Sequence, residues 1–154
     1  PHQSHLLNLS QFSKITGSTM ERENAARELA VLYAKYMDDK LFDQLGEIMI
    51  DGIVMAAPEF ECNGLDAFKQ QVELLRDYSA TMHLVSNQSG EWNGDNYVGE
   101  TYCVATHIYE QDGVGRKWEV GIRYDDHISL IDGNYKYTRR YLNIAWNSDV
   151  PLQG

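Results

Sequence analysis

The chain has 154 residues, of which 43% are hydrophobic and 23% charged, and these proportions are typical of one globular domain with a sizeable core. Its formal net charge of −10 disfavours nonspecific binding to nucleic-acid phosphates or anionic lipid. The sequence shows no apolar stretch near the roughly 20 residues that a membrane span needs and no secretory leader at its start.

The cysteines and glycines argue against cofactor chemistry. Cys62 and Cys103 are too far apart in the sequence to form a metal-binding pair or a disulfide framework, which favours a reducing, cytoplasmic location. No two histidines and a carboxylate have metal-ligand spacing. The "GVG" of "DGVGRK" is typical of a hairpin turn rather than a phosphate-binding loop. We therefore expect no metal and no other cofactor.

Three helices are predicted in the first half of the chain. Residues 1–19 are expected to lie outside the domain, as a natural arm or a remnant of cloning. The first helix should begin near "STME", where Ser18 and Glu21 have the spacing of a capping box. Apolar residues three and four apart then form one stripe as far as Met37. Shorter helices are predicted in "KLFDQLGEIMI" and "LDAFKQQVELLRDY".

The other predicted elements are strands. "GIVMAAPEFECNG" reads as two short strands broken at Pro58. Four β-branched or aromatic runs follow the third helix, separated by hairpin-type turns: "MHLVSNQSGEW", "YVGETYCVATHIYEQ", "RKWEVGIRYDDHISLI" and "YKYTRRYLNIAWN". This order predicts an α+β fold, with a cone-shaped, strongly curved, mixed or antiparallel sheet and three helices packed on its concave face. Such a cone has an open mouth where small molecules bind.

Among the five histidines, His83 is the best candidate for catalysis. By strand alternation it shares a face with Val85 and Asn87. Asp38 ends the stripe of the first helix, where an acid is poorly placed for the helix dipole and, if turned inward, needs a partner. Paired with His83, it would orient the imidazole as a base for neutral pH. The alternative is a structural histidine and a solvated turn acid.

Four segments carry a resemblance to a known family: "LYAKYMDDKLFDQLGEIM", "TMHLVSN", "GETYCVATHIY" and "DGNYKYTRRYLNIAW". Together they resemble the SnoaL-like branch of the nuclear transport factor 2-like superfamily. Within it, the chain looks closest to the scytalone dehydratases, the hexachlorocyclohexane dehydrochlorinases and the bile-acid 7α-dehydratases. The resemblance covers residues 20–147, which we assign to one SnoaL-like domain, and leaves residues 148–154 as a C-terminal tail.

The resemblance implies three catalytic residues. In the related families a tyrosine and an aspartate on a helix face a histidine that begins a strand, and the matching positions here are Tyr33, Asp38 and His83. His83 and Asp38 would then abstract a proton, with loss of water or halide from the adjacent carbon. Tyr33 would donate a hydrogen bond to the leaving group or to a carbonyl oxygen.

The resemblance also implies three substrate-binding candidates. His107 matches a second histidine of the scytalone dehydratases, and Asp125 matches a polar substrate contact by a loose alignment. The other two families use a basic residue from the last strand, for which Arg139 is our candidate. Arg139 and Arg140 point to opposite faces, and the sequence leaves open which of them faces inward. The alternatives are an exposed strand histidine, a solvated acid and a surface ion pair.

Two classes of function remain open at this point. One is a cofactor-free lyase acting on a small cyclic or polyketide- or steroid-like substrate, or an isomerase or cyclase that uses the same proton transfer. The other is a non-catalytic binding module. An enzyme should hold Asp38 and His83 within about 2.6–3.2 Å beside a cavity. The exposed back of the sheet also predicts a homodimer or homotrimer, and neither nucleic acid nor a membrane is an expected partner.

Overall fold

The helices and strands are those of a computed structural model, which describes residues 20–153. The predicted arm of residues 1–19, with Ser18, lies outside the described residues. The helical elements are α1 (Arg22–Asp38), a 3-10 helix (Phe42–Glu47), α2 (Leu65–Val72) and a 3-10 helix that continues it (Glu73–Asp77). The strands are β1 (Met49–Ala57), β2 (Phe60–Asn63), β3 (Ala80–Asn93), β4 (Asn96–Gln111), β5 (Val114–Ile131) and β6 (Asn134–Pro151).

The strands form one sheet of six, in the order β2-β1-β6-β5-β4-β3. β1 pairs with β6 in parallel, and every other pair is antiparallel. The predicted α+β class with a mixed sheet and three helical segments is confirmed. The second segment is a 3-10 helix, as is common for short pieces that connect longer elements. Within residues 20–153, no helix is long and apolar enough to cross a membrane.

Two of the hairpin turns are made by Asp-Gly pairs. Asp112 and Gly113 have φ angles of 52° and 79°, and Asp132 and Gly133 have φ angles of 49° and 82°. Each pair joins strands whose flanking residues are directly opposite, so the loop has two residues. Positive φ at both positions defines the turn that matches the right-handed twist of the strands. The predicted hairpins in "QDGVG" and "DGN" are therefore confirmed.

Helix α1 packs its apolar stripe on the sheet and lies along the edge strand β3. Its buried residues are Ala25, Leu29, Ala30, Tyr33, Ala34, Tyr36 and Met37. Arg27 donates hydrogen bonds to the carbonyl oxygens of Ser86 (2.7 Å) and Val85 (3.3 Å). Glu21 is the N-cap residue and makes no side-chain cap bond, so the prediction that it occupies the third helical position of a capping box is wrong.

Strand β6 differs from the sequence prediction at two places. It continues to Pro151, which lies opposite Arg116, so the part of the predicted tail from 148 to 151 belongs to the sheet. It also carries a β-bulge, because Tyr137 lies opposite Ile128 and Arg139 lies opposite His127, which leaves Thr138 as an additional residue. A bulge shifts the alternation of side chains along its strand, and this shift determines which arginine faces inward.

Candidate active site

Asp38 and His83 come together between the end of α1 and the start of β3. The Asp38 Oδ1 atom lies 2.7 Å from His83 Nδ1, and Asp38 Oδ2 accepts a hydrogen bond of 2.9 Å from the backbone amide of His83. Thr81 donates a third hydrogen bond, of 3.0 Å, to Oδ1. The side chain of His83 is only 7% exposed and that of Asp38 22%. The distance lies within the range that we expected for an enzyme.

The hydrogen bonds fix the protonation of this pair. Burial would raise the pKa of Asp38, but the hydrogen bonds from His83 and Thr81 outweigh it and lower the pKa below its ordinary value. Asp38 is therefore a carboxylate at neutral pH and can only accept. His83 Nδ1 must then carry a proton, which leaves Nε2 as the ring nitrogen that can act as a base. Within residues 20–153, Nε2 of His83 has no protein hydrogen-bond partner.

The dyad adjoins a cavity of about 510 Å³ between the inner face of the sheet and the helices. This volume is within the range of small-molecule sites. Apolar and aromatic side chains make up most of the wall, and two histidines, His83 and His107, lie next to each other in it. The wall includes Tyr33, Glu59, Gln71, Tyr78, His83, His107, Trp118 and Tyr124.

Tyr33 reaches the cavity from α1, as the resemblance implied. Its ring lies edge-on to that of His83, with 6.4 Å between the ring centroids, and stacks on Phe68 at 6.3 Å. Burial raises the pKa of Tyr33 to about 12. The phenol is therefore neutral at physiological pH and can donate a hydrogen bond. Cys103, on the same face of the sheet, is no candidate nucleophile, because burial raises the pKa of its thiol to about 12.

His107 also lines the cavity, and its ring centroid is 6.4 Å from that of His83. Its Nδ1 atom lies 3.1 Å from the carbonyl oxygen of Trp118, which can only accept, so Nδ1 is protonated. Burial lowers the pKa of His107, and the proximity of His83 lowers it further. His107 is therefore a neutral ring whose Nε2 can accept a hydrogen bond from a ligand. The structure thus places His107 inside, where the sequence left an exposed strand histidine as the alternative.

The lowered pKa of His107 predicts how stability depends on pH. Between that pKa and the ordinary value of 6.5, the unfolded chain binds more protons at His107 than the folded protein does. The free energy of unfolding should therefore fall as the pH decreases through this window, by at most about 1.4 kcal/mol per pH unit. Urea unfolding between pH 7 and pH 5 measures it. In His107→Gln the slope should be smaller, because glutamine can still donate to Trp118 but does not titrate. An equal slope in both proteins would contradict the assignment.

Arg139 and Asp125 do not line the cavity. Both side chains are exposed on the outer face of the sheet, where Asp125 accepts a hydrogen bond of 2.9 Å from Asn143. The structure therefore does not bring them to the cavity. Their sequence neighbours Arg140 and Asp126 point inward instead and are each 1% exposed.

Arg140 and Asp126 form a buried ion pair that the sequence analysis missed. Arg140 Nε donates to Asp126 Oδ1 at 2.7 Å, and Thr101 donates to Asp126 Oδ2 at 2.7 Å. The guanidinium carbon lies 4.4 Å from the ring centroid of Tyr33 and 3.7 Å from that of Tyr124. Burial would lower the pKa of Arg140, but the Asp126 carboxylate outweighs it and the pKa lies above its ordinary value.

A signal for this pair was present in the sequence. Asp126 is two residues from Tyr124 and two from Ile128, and both of these are apolar residues of the inner face. A carboxylate in phase with such residues needs a buried cation. The neighbouring strand supplies it, since Arg140 is directly opposite Asp126.

The six-stranded mixed sheet with its helices on one face is that of a domain of the nuclear transport factor 2-like superfamily. Within it, the chain belongs to the SnoaL-like family, whose SnoaL-like domain model matches residues 18–141. The resemblance noted in the sequence is thereby confirmed. No match was found among curated proteins.

Solved structures with this architecture include enzymes of elimination chemistry. A candidate scytalone dehydratase from Novosphingobium aromaticivorans DSM 12444 has a TM-score of 0.75 and 21% identity, over 85% of this chain and 89% of its own. The type 3 hexachlorocyclohexane dehydrochlorinase from Novosphingobium barchaimii LL02 has a TM-score of 0.73 and 14% identity, over 94% and 95% of the chains. The beta subunit of a candidate aromatic-ring-hydroxylating dioxygenase from N. aromaticivorans has a TM-score of 0.63 and 18% identity, over 89% and 92%. At these identities the likeness establishes the fold.

Proposed function

We propose that this protein is a cofactor-independent lyase that eliminates water, or a related leaving group, from a small cyclic substrate. The observation that supports this most directly is the 2.7 Å contact between Asp38 and His83 beside a cavity of about 510 Å³. A buried imidazole held by a carboxylate is a general base with a fixed direction. A dehydratase and a dehydrochlorinase among the structural neighbours are consistent with such chemistry.

In the proposed reaction, His83 Nε2 takes a proton from the carbon next to a carbonyl group. Asp38 stabilises the imidazolium that forms, and the neutral Tyr33 phenol donates to the carbonyl oxygen as negative charge develops there. The electron pair of the broken C–H bond forms the new double bond as the hydroxyl group leaves the adjacent carbon. The imidazolium returns its proton to that hydroxyl, so the products are an unsaturated ketone and water.

His107 takes part as a binding group. Its low basicity and its hydrogen bond to Trp118 leave an acceptor nitrogen beside the base, suited to a hydroxyl group of the substrate. An uncharged second histidine also avoids repulsion of the His83 imidazolium. His107 would thereby orient the substrate so that the proton to be removed faces His83.

Two alternatives use the same cavity. An isomerase or cyclase would begin with the same proton abstraction but would return the proton to another carbon or close a ring. A non-catalytic module would bind the ligand unchanged, and a dioxygenase beta subunit is among the structural neighbours. The converging dyad favours an enzyme over the module, since binding alone does not need an imidazole held by a carboxylate.

The cone-like curvature of the sheet and the assembly of the protein also belong to this proposal. A concave inner face would enclose the cavity between sheet and helices. Large apolar side chains are exposed on the outer face, among them Met82, Leu84 and Val98, each more than half exposed. Their burial against a second copy would support a homodimer or homotrimer.

The proposed function is tested by incubating the protein with a panel of cyclic β-hydroxy ketones and following the ultraviolet absorbance of the conjugated product. We expect an unsaturated ketone, and a slower reaction when the carbon next to the carbonyl carries deuterium. Exchange of that deuterium without loss of water would favour the isomerase. Neither exchange nor elimination on any substrate that binds would favour the binding module.

A further inference from the structure

The cavity has a charged neighbour that cannot act on a ligand. The Arg140 guanidinium is 1% exposed and lies beneath the rings of Tyr33 and Tyr124, which themselves line the cavity. Its charge is balanced by Asp126 at 2.7 Å. Strand β6 thus brings a cation near the site, but the cation is paired with a carboxylate and covered by two aromatic rings, and Arg140 itself does not line the cavity.

The groups that do face the cavity carry little positive charge. Among residues 20–153, no lysine or arginine side chain contributes to its wall, whereas Glu59 adds a carboxylate from the turn between β1 and β2. His107 is neutral because its pKa is lowered. His83 is already paired with Asp38. An anionic ligand would lose its hydration here without gaining a partner charge, which is strongly unfavourable.

The wall that remains is suited to an aromatic or alicyclic ring. Trp118 and His107 lie with their ring centroids 4.5 Å apart, and Tyr78 lies 4.9 Å from His107. Flat rings of this kind bind the face or edge of another ring system. The polar side chains of the wall, apart from the Glu59 carboxylate, are uncharged: phenols, the two histidines, the indole of Trp118 and the amides of Gln71 and Asn147.

We propose that the cavity selects uncharged ring compounds bearing hydroxyl or carbonyl groups and rejects rings that carry a carboxylate or a phosphate. The proposal rests on the proposed function for the identity of the site, and it concerns binding rather than turnover. Cyclic carboxylic acids are thereby excluded as substrates. The reaction that supplies the substrate must then deliver a ring that carries no charge.

The test compares three naphthalene probes by isothermal titration calorimetry at pH 7.5. 2-Naphthol and 2-acetonaphthone are neutral, and 2-naphthoate has nearly the shape of the ketone but carries a charge. We expect both neutral probes to bind and 2-naphthoate to bind about thirtyfold more weakly than 2-acetonaphthone. Affinities of the ketone and the carboxylate within threefold of each other would overturn the proposal, and so would failure of both neutral probes to bind.

A variant separates charge from shape. Gln71 lines the cavity from α2 and is partly exposed, so Gln71→Lys introduces a cation without disturbing the core. We expect it to raise the affinity for 2-naphthoate about tenfold relative to that for 2-acetonaphthone, because only the carboxylate gains a partner charge. An equal change for both probes would overturn the electrostatic explanation. Neutral binding without any elimination in the ketone panel would refute the proposed lyase and leave this inference standing.

Discussion

Replacing His83 with alanine is expected to lower kcat for elimination by about 100- to 10,000-fold. The variant loses the only imidazole held by a carboxylate in the described part of the chain, and Asp38 keeps its hydrogen bonds from Thr81 and from the backbone amide of residue 83. KM should change far less than kcat, because the aromatic wall of the cavity stays in place. Steady-state kinetics on the best ketone of the panel measures both constants.

The matched control is His127→Gln, a histidine of β5 that does not line the cavity. It should keep kcat within about twofold of the unchanged protein. Asp38→Asn provides a second comparison, because its amide can no longer stabilise the imidazolium and can hold the ring in the other tautomer. We expect a loss of about 100-fold or more. Should His83→Ala retain more than half of the original kcat, His83 is not the base.

The second large effect concerns stability. Asp126→Asn is expected to lower the free energy of unfolding by about 3–5 kcal/mol, because it leaves the buried Arg140 guanidinium without a counterion. The side chain of Thr101 would also lose its carboxylate acceptor. Urea unfolding followed by circular dichroism at pH 7 measures the change. A loss below about 1 kcal/mol would mean that the pair contributes little to the folded state.

Two further variants isolate the buried charge. Arg139→Met changes an exposed arginine next to Arg140 on the same strand, and it should cost no more than about 0.5 kcal/mol. The double variant Asp126→Leu with Arg140→Met removes both charges and leaves no unpaired ion. It should be more stable than Asp126→Asn, since a well-packed apolar pair often replaces a buried ion pair at little cost. The opposite order would mean that packing, rather than the unpaired charge, causes the loss.

The pairing of Asp38 with His83 could be predicted from the sequence because each residue type is unusual at its position. Asp38 is an acid at the carboxyl end of an apolar helical stripe, and His83 is a titratable ring on the inner face of a strand. Each of these polar groups needs a hydrogen-bond partner if it faces inward, and the two side chains are partners of each other. The strands were predictable for a simpler reason, since β-branched and aromatic runs alternate with Asp-Gly turns.

The sequence left open which of Arg139 and Arg140 faces inward, and a β-bulge decides it. Tyr137 faces inward and, two residues later, Arg139 should do so as well. Thr138 adds one residue to β6, so the inward position passes to Arg140. Residue types alone do not reveal a bulge, since it is defined by pairing with the neighbouring strand. No extra residue lies between the buried residues Tyr124 and Ile128 of β5. Simple alternation with them therefore shows that Asp126, rather than Asp125, faces inward.

Helix α1 provides the carboxylate of the dyad, and it also covers the edge of the sheet. β3 is an edge strand of the sheet. An edge strand presents unpaired amides and carbonyls, to which a strand of another polypeptide can pair. Asp38 occupies the amide of His83, and Arg27 occupies the carbonyls of Val85 and Ser86. Backbone groups in the middle of the β3 edge are thus already hydrogen-bonded, which protects the folded protein against intermolecular β-aggregation.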